Sequence, residues 1–290
     1  VKKMPPETAG ALLRRGGDRL VQAGIAGGRR DARLLLQYAA GLSQTDLVAE
    51  PDRMMAEHDA ALFDRFVARR IRGEPVSRIA GEREFYGRCF DVTPDVLDPR
   101  ADTETLIDAV LPFARALGEC RILDAGTGSG AIIVTLLAQL PLASGVATDL
   151  SEAALAVARR NAVRHQVDDR LELLQTDWAS GCAGPFDLVV SNPPYIPAAD
   201  IAGLDAEVRE HDPLLALSGG QDGLDAYRAL LPQAAGLVSP HGRVAVEFGA
   251  GQHDGVAAIA RAAGLQTAAK ACGLFKDLSG HVRCAMFARS

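Results

Sequence analysis

In 189-VVSNPPYIPAAD-200 an apolar run stops abruptly on residues that could grip one kind of chemical group. Asn192 offers an amide, Pro193 and Pro194 lack backbone N–H groups and hold the turn at restricted φ, and Tyr195 adds a planar ring. The carbonyls of both prolines remain acceptors. A planar nitrogen carrying two hydrogens can be held by the Asn192 side-chain oxygen and the Pro193 carbonyl, with the Tyr195 ring on its flat face. Two preorganised acceptors of this kind favour positive charge developing on that nitrogen, the counterpart of an oxyanion hole. The group addressed is an NH2 on a conjugated plane, either a nucleobase amine or a carboxamide. A proline pair after a strand is also an ordinary stop signal, so the tetrapeptide takes its meaning from what precedes it.

Upstream, 121-RILDAGTGSGAIIVTLLA-138 runs from a strand through a glycine-rich turn into a helix. Gly126, Gly128 and Gly130, with Thr127 and Ser129 between them, let the backbone turn sharply and approach a ligand, while the helix start offers unsatisfied N–H groups. A dinucleotide-binding turn also has three glycines between strand and helix, but the spacing departs from GxGxxG and Asp124 precedes the glycines. No lysine is present for a phosphate loop. Asp149 closes the next strand in 145-GVATDLSEAAL-155. There it can accept both hydroxyls of a ribose or help to cap the following helix with Ser151 and its neighbours. Asp177, in 175-QTDWAS-180, follows the third strand and can receive an adenine amino group or act as a cap.

Three successive strand ends carrying a glycine turn, an acid and an acid resemble the class I S-adenosylmethionine-dependent methyltransferases, in which the carboxyl ends of the strands hold the cofactor. The resemblance implies S-adenosyl-L-methionine as cofactor and S-adenosyl-L-homocysteine as product. It implies that Gly126, Thr127, Gly128, Ser129 and Gly130 pass close to the methionine part, with Asp124 beneath its amino group. Asp149 would bind the ribose, and Asp177 with Trp178 would flank the adenine. Asn192 would then lie by both the transferable methyl and the target, stabilising a nitrogen as it attacks a sulfonium methyl. A strong general base is not required, because the methylated nitrogen is acidic while cationic and releases its proton to water. Orientation and desolvation supply much of the rate.

The elements that must position these residues follow from periodicity. Residues 8–73 set apolar and charged positions at helical spacing, as in 31-DARLLLQYAAG-41 and 57-EHDAALFDRFVARRIRG-73, each ending at a glycine suited to a C-cap, and 17-GDRLVQAGI-25 supplies a further helix. Within them 65-RFVARRIRG-73 is either a local basic patch or a solvated helix face. Pro75 closes this helical domain, taken as 1–76. Alternation in EFYGRCFDV predicts two short strands about a Gly87 turn, a hairpin linker within 77–95, and 104–117 is an amphipathic helix. From 121, apolar runs at 121–125, 145–149, 171–175, 186–191 and 242–249 alternate with helical patterns near 129–140, 151–164, 222–236 and 252–263. That alternation indicates a mostly parallel sheet covered on both faces, with 265–271 and 281–289 as an antiparallel edge pair. The expected fold class is therefore α/β: a doubly wound, mostly parallel, seven-stranded sheet of class I methyltransferase type over 96–290, preceded by a small helical domain and the hairpin linker.

Composition narrows the function classes. With 290 residues, 48% hydrophobic and 23% charged, and a net charge of −6, the chain has no overall basic footprint for a nucleic acid. Its apolar runs fall short of a membrane span, and VKKMPPETAG carries no apolar stretch of signal-peptide kind. Cys89, Cys120, Cys182, Cys272 and Cys284 show neither zinc-site nor disulfide-framework spacing, which suits reduced thiols and a cytoplasmic location. His211, His241 and His253 have no metal-ligand spacing, so no metal is expected. Ser218, beside Gly219 and Gly220, lacks a nucleophile-elbow sequence.

From about residue 8 onward the chain resembles the release factor glutamine methyltransferase family. The resemblance is carried by 73-GEPVSRIAGEREFYG-87, 95-DVLDPRADTETLID-108, 123-LDAGTGSGAI-132, 192-NPPYIP-197, 207-EVREHDPLLALSGGQDGLDAYR-228 and 277-DLSGHVR-283. It implies methylation of the side-chain nitrogen of the glutamine in the GGQ motif of bacterial peptide chain release factors 1 and 2. It also implies a helical domain that helps to hold that partner, a monomer, and no direct contact with nucleic acid or membrane. Asn192, Pro193, Pro194 and Tyr195 would be the catalytic residues. The family usually has prolines on both sides of the linker arginine, whereas here Ala101 stands where the second would be, implying a looser loop and not a lost activity. Arg100 and Glu104 either meet the substrate or form a helix-capping pair. Phe85 and Tyr86 either line the glutamine pocket or pack between domains. Glu207, Arg209 and Asp212, in the loop 196–223, either contact substrate or solvate the loop. The rivals are an adenine N6 methyltransferase acting on DNA or RNA, and a glutamine methyltransferase of a ribosomal protein.

Overall fold

Thr8 starts the first helix: its hydroxyl accepts the Ala11 N–H at 3.2 Å from an extended N-cap, and α1 runs Ala9–Gln22. The segment expected as a separate helix at 17–25 is thus the second half of α1 and its exit. α2 (Gly28–Ala40) stops at Gly41 in left-handed backbone, the capping glycine expected there. α3 (Gln44–Ala49) is opened by a Ser43–Asp46 capping box and is too short to show periodicity. α4 (Glu57–Ile71) follows. Pro75 does not end the helical region; it is the N-cap of α5 (Val76–Ala80), a position whose N–H no helix bond requires.

The computed structural model describes residues 7–267 and 273–289. Its contacts divide the chain into two units, Val1–Gly81 with Ala206–His211, and Glu82–Asp205 with Asp212–Ser290. In the first, Leu12, Leu20, Leu35, Leu36, Phe63 and Val67 form a buried core. Arg70, inside the arginine-rich stretch, belongs to neither a basic patch nor a solvated face. It is 5% exposed, and it donates from Nε to Asp31 Oδ2 at 2.8 Å and from Nη2 to Glu207 Oε1 at 2.6 Å. Arg69 pairs with Glu74.

The second unit begins with the hairpin β1 (Glu82–Phe85) and β2 (Arg88–Asp91). Tyr86 and Gly87, at φ 52° and 69°, make the two-residue left-handed turn whose twist matches the strands. The hairpin is packed into this unit, because Phe85 and Phe90 enter its core and the Asp91 N–H donates to Asn161 Oδ1 at 2.7 Å. After α6 (Glu104–Leu117) come β3 (Arg121–Ala125), α7 (Ala131–Gln139), β4 (Ser144–Asp149), α8 (Glu152–Arg164), β5 (Leu171–Gln175) and β6 (Phe186–Ser191). α9 (Ala206–His211) belongs to the first unit, and the second resumes with α10 (Asp225–Leu237), β7 (Val238–Glu247), α11 (His253–Ala262), β8 (Leu265–Thr267), β9 (Leu274–Lys276) and β10 (Val282–Arg289).

The sheet order is β5-β4-β3-β6-β7-β10-β8, with β9 also paired to β10. β3 to β7 pair in parallel, and β10 runs antiparallel to β7, β8 and β9. Among the described residues the sheet is therefore mixed and has eight strands in place of the seven expected; β9 is too short and isolated to announce itself. Residues 268–271 of the expected edge strand and Cys272 lie outside the described residues. The cysteines that are described, Cys89, Cys120, Cys182 and Cys284, are free thiols.

Side chains alternate along the central strands. Ile122, Leu188 and Val190 pack with Val110 and Ile133, on α6 and α7, while Leu123, Val189 and Val244 pack with Leu230 and Val256, on α10 and α11. Helices thus cover both faces, and the carboxyl ends of β3, β4, β6 and β7 share one edge. The chain order reverses between β3 and β6, the kind of switch point where open α/β sheets bind ligands.

Removing Asp31 takes the buried partner from the Arg70 guanidinium and leaves the half-exposed Glu207 to compensate its charge. Asp31→Ala is expected to lower the unfolding free energy by about 3 kcal/mol, read from urea denaturation of the whole chain.

Candidate active site

Gly126, Gly128 and Gly130 all have positive φ, at 75°, 56° and 79°. The Gly126 and Thr127 N–H groups donate to the Thr148 carbonyl at 2.9 and 2.8 Å, folding the turn back onto the end of β4. Space is also tight at two of the glycines. A Cβ on Gly126 would lie 3.2 Å from Trp178 Cζ3, and one on Gly130 would lie 3.1 Å from Ala158 Cβ.

Asp124 sits beneath this turn with 0% exposure. Its Oδ2 accepts the Thr127 hydroxyl at 2.7 Å, and its Oδ1 has no hydrogen-bond partner. Burial, with the Asp149 charge adding to it, outweighs the Thr127 bond and the nearby Ile133 N–H, which falls short of regular geometry with Oδ1, and pushes the carboxyl up to about 7. A buried acceptor without a donor fits a site built to receive an ammonium or N–H group.

Asp149 does not cap α8. That role belongs to Ser151, whose Oγ accepts the Ala154 N–H at 3.2 Å. Asp149 accepts instead from the backbone N–H of Gly128 at Oδ2 and of Ser151 at Oδ1, both at 2.9 Å, which joins two loops and leaves each oxygen a further lone pair. Asp177 is exposed beyond β5, and Trp178 is held at a φ of 53°, an uncommon conformation for so large a side chain.

At the end of β6, Asn192 Nδ2 donates to Thr103 Oγ1 at 2.9 Å. Thr103 is buried at the N-cap of α6, yet makes no capping bond there. Fixing the nitrogen end of the amide leaves its oxygen as the end available to a ligand. Ser191 ties the same turn to β3 by donating to the Ala125 carbonyl at 2.6 Å.

A cavity of about 560 Å³ opens here, and it is lined by Gly126, Thr127, Gly128, Ser129, Asp149, Asp177, Trp178, Asn192, Pro193 and Pro194. Most of the expected site residues therefore meet in one place. Asp124 and Gly130 lie behind the lining. Tyr195 is not part of it: its ring packs against the core beside Gly249, and its carbonyl accepts from Gln252 Nε2 at 2.9 Å. Phe85 lines the cavity from the core, while Tyr86 donates its hydroxyl to Asp108 Oδ1 at 2.7 Å.

Arg100 and Glu104 are not a capping pair. Arg100 lines the cavity and is paired with the buried Asp212, and Glu104 Oε1 accepts the Tyr86 N–H at 2.8 Å. Glu207 is committed to Arg70, and Arg209 pairs with Glu210. Among the described residues, no group of three or more His, Cys, Asp or Glu side chains is placed to hold a metal ion. Sequence reasoning missed Thr103, which reads as an ordinary helix entry, and Glu247, whose signal was a charged residue closing an apolar strand in 242-GRVAVEFG-249.

Comparison with known proteins accords with this geometry. Residues 11–81 match the PrmC N-terminal domain, and residues 103–204 match the methyltransferase small domain. A release factor glutamine methyltransferase from Rhodospirillum rubrum is 47% identical over 282 residues, covering 97% of this chain and 85% of that one. One from Bradyrhizobium diazoefficiens is 48% identical over 250 residues, covering 85% and 84%. Among solved structures, a methyltransferase from Pyrococcus furiosus superposes with a TM-score of 0.51 at 20% identity, covering 70% of this chain and 89% of that one. That likeness shows a shared class I methyltransferase-like α/β fold. The match along nearly the whole chain, together with the Asn192 turn and the glycine cradle, makes this protein a member of the release factor glutamine methyltransferase family.

Proposed function

We propose that the chain transfers the methyl group of S-adenosyl-L-methionine to the side-chain nitrogen, N5, of the glutamine in the GGQ motif of bacterial class I peptide chain release factors, with S-adenosyl-L-homocysteine as the product. The observation that carries this reading is the Asn192 amide, held by its nitrogen on Thr103 at the edge of the cavity. Family membership supplies the identity of the partner.

The residues present fit the cofactor. The unpartnered Asp124 Oδ1 suits its amino group, the turn from Gly126 to Gly130 keeps backbone free of side chains, Asp149 has acceptor capacity for a diol, and Asp177 with Trp178 suits an adenine. When bound, the cofactor supplies an electrophilic methyl on a sulfonium. The protein's part is to orient and to stabilise charge. Asn192 Oδ1 and the Pro193 carbonyl accept the two hydrogens of the target amide nitrogen and favour the positive charge that builds there. Pro193 and Pro194 keep those acceptors rigid and bring no competing N–H donors. Tyr195, packed beside Gly249, buttresses the turn. The proton leaves to water, so no side chain is assigned as a base.

The helical unit, which runs to Gly81, docks the release factor, and the chain from the hairpin onward forms the catalytic unit. The enzyme acts as a cytoplasmic monomer without direct contact to nucleic acid. The pairing of Arg69 and Arg70 with carboxylates and a net charge of −6 support that last point. No helix among the described residues is long and apolar enough to cross a membrane.

Four outcomes test the reading. Labelled S-adenosyl-L-methionine should mark release factors with an intact GGQ motif, and neither the same proteins with that glutamine changed to alanine nor duplex DNA; label on DNA would transfer the proposal to adenine N6 methylation. Asn192→Ala should lose about 100-fold or more in kcat while cofactor affinity stays within a few-fold, whereas Asp149→Ala should weaken cofactor affinity by about 10- to 100-fold in calorimetry. Because burial pushes Asp124 up to about 7, its carboxyl is neutral below that pH and pairs poorly with an ammonium. Cofactor affinity should therefore rise several-fold as pH goes from about 6 to about 8, and Asp124→Asn should flatten that profile; a flat profile in the wild type removes Asp124 from the role.

A further inference from the structure

Glu247 closes β7 beside the catalytic turn. Ser191 pairs with Val246 across β6 and β7, so the next residues on the two strands, Asn192 and Glu247, are neighbours. The side chain is 1% exposed, and neither of its carboxylate oxygens has a hydrogen-bond partner. It does not line the cavity. A carboxylate left unpaired in a core costs stability, and nothing in the mechanism above uses it.

Its surroundings point to a task. The groups that face it are Asp102 and Thr103 from the turn before α6, Asn192 and Tyr195 after β6, Tyr227 on α10, and Arg283 and Cys284 on β10. Arg283 is already engaged by Asp102 at 3.2 Å and Asp277 at 2.8 Å. The Tyr227 hydroxyl donates to the Glu247 main-chain carbonyl at 2.8 Å, not to the carboxylate. Thr103 and Asn192 present polar atoms to the carboxylate and favour its ionised form, short of a hydrogen bond of regular geometry.

We propose that Glu247 is a positioning residue for methyl transfer: together with Thr103 it holds the Asn192 amide with its nitrogen toward the protein and its oxygen toward the target nitrogen. The inference rests on the reading of Asn192 as an acceptor for the target amine. An amide has two chemically opposite ends of nearly equal size. Turned over, Asn192 would aim donors at the donors of the glutamine amide and the grip would fail. Thr103 alone does not prevent this, because its hydroxyl can accept from Nδ2 or donate to Oδ1. An ionised Glu247 is acceptor-only, so it attracts the Thr103 hydroxyl hydrogen and the Nδ2 hydrogens that face it and repels Oδ1. A protonated Glu247 can donate, and then tolerates the wrong orientation. Burial is the largest influence on this carboxyl and pushes it up to about 7, so the preference strengthens as pH rises through that value.

The test has two arms. In the free, labelled enzyme, the Asn192 side-chain amide resonance, identified by its loss in Asn192→Ala, should titrate with a midpoint near the value of about 7 given by burial, and Glu247→Gln should abolish that titration. In steady-state assays, Glu247→Gln should lower kcat by about 10- to 100-fold, the size typical of losing a group that orients a contacting ligand. The rise of kcat with pH near neutrality should vanish, KM for the release factor and calorimetric cofactor affinity should change little, and Glu247→Asp should recover part of the rate. A resonance in the wild type that ignores pH overturns the proposal, as does wild-type kcat in Glu247→Gln, or a loss of kcat that merely parallels lost cofactor binding and a lowered Tm. If Glu247→Gln does not fold, Thr103→Val against Thr103→Ser decides: a slow valine and a near-normal serine variant support the chain of contacts, and equal rates refute it. Failure of the wild type to label the release factor would sink the proposed substrate, while the resonance titration would still decide the role of Glu247.

Discussion

The hydrogen bond between Asn192 Nδ2 and Thr103 Oγ1 joins two parts of the chain separated by 89 positions, and the rest of the site is arranged around what it accomplishes. An asparagine at the end of a strand is free to turn about its last torsion, so residue type alone does not say whether it offers a donor or an acceptor. Burying Thr103 at the head of α6, without assigning it a cap, gives the amide nitrogen a partner there, and the choice of end falls to the acceptor-only carboxylate of Glu247 in the role proposed for it. The prolines then hold the backbone in register with that side chain. The sheet does the same at larger scale, because parallel strands end together and bring Asp124, Asp149, Asn192 and Glu247 to one edge.

That edge holds charge under unfavourable conditions. Asp124 and Glu247 are both buried, and both are raised to about 7 by loss of water. Two carboxyls of this kind subtract from the stability that the apolar faces of the sheet provide, and they are tolerated where binding or orientation needs a strong acceptor. The surrounding scaffold can sustain them because its central strands are covered on both faces by helices. Elsewhere, buried charge is paired at once, as with Arg70 and Asp31.

Long periodic segments, the glycine turn and the strand-end acids were legible in the sequence because each depends on neighbours a few positions away. Gly126 to Gly130 needed positive φ, and the glycines themselves announced it. The errors lay where the deciding partner is distant. An aromatic after a proline pair reads as a stacking ring, and nothing local shows that the Tyr195 ring packs against the core beside Gly249. Arg100 reads as a capping partner of Glu104, four positions on, whereas it pairs with Asp212. Short elements such as α3, α5 and β9 carry too few residues to display a period, and Pro75 was read as a terminator when its lack of an N–H serves equally well to begin a helix.

The two backbone bonds to Asp149 have a consequence of a different kind. A carboxylate on an exposed loop ordinarily samples several rotamers, and a ligand that recruits it must bear the entropy of stopping that motion, on the order of 0.5–1.5 kcal/mol for a rotamer-rich side chain. The N–H groups of Gly128 and Ser151 have already stopped it during folding. The acceptor pair thus meets its ligand in a fixed orientation, with the ordering supplied in advance by the same loops that shape the cavity.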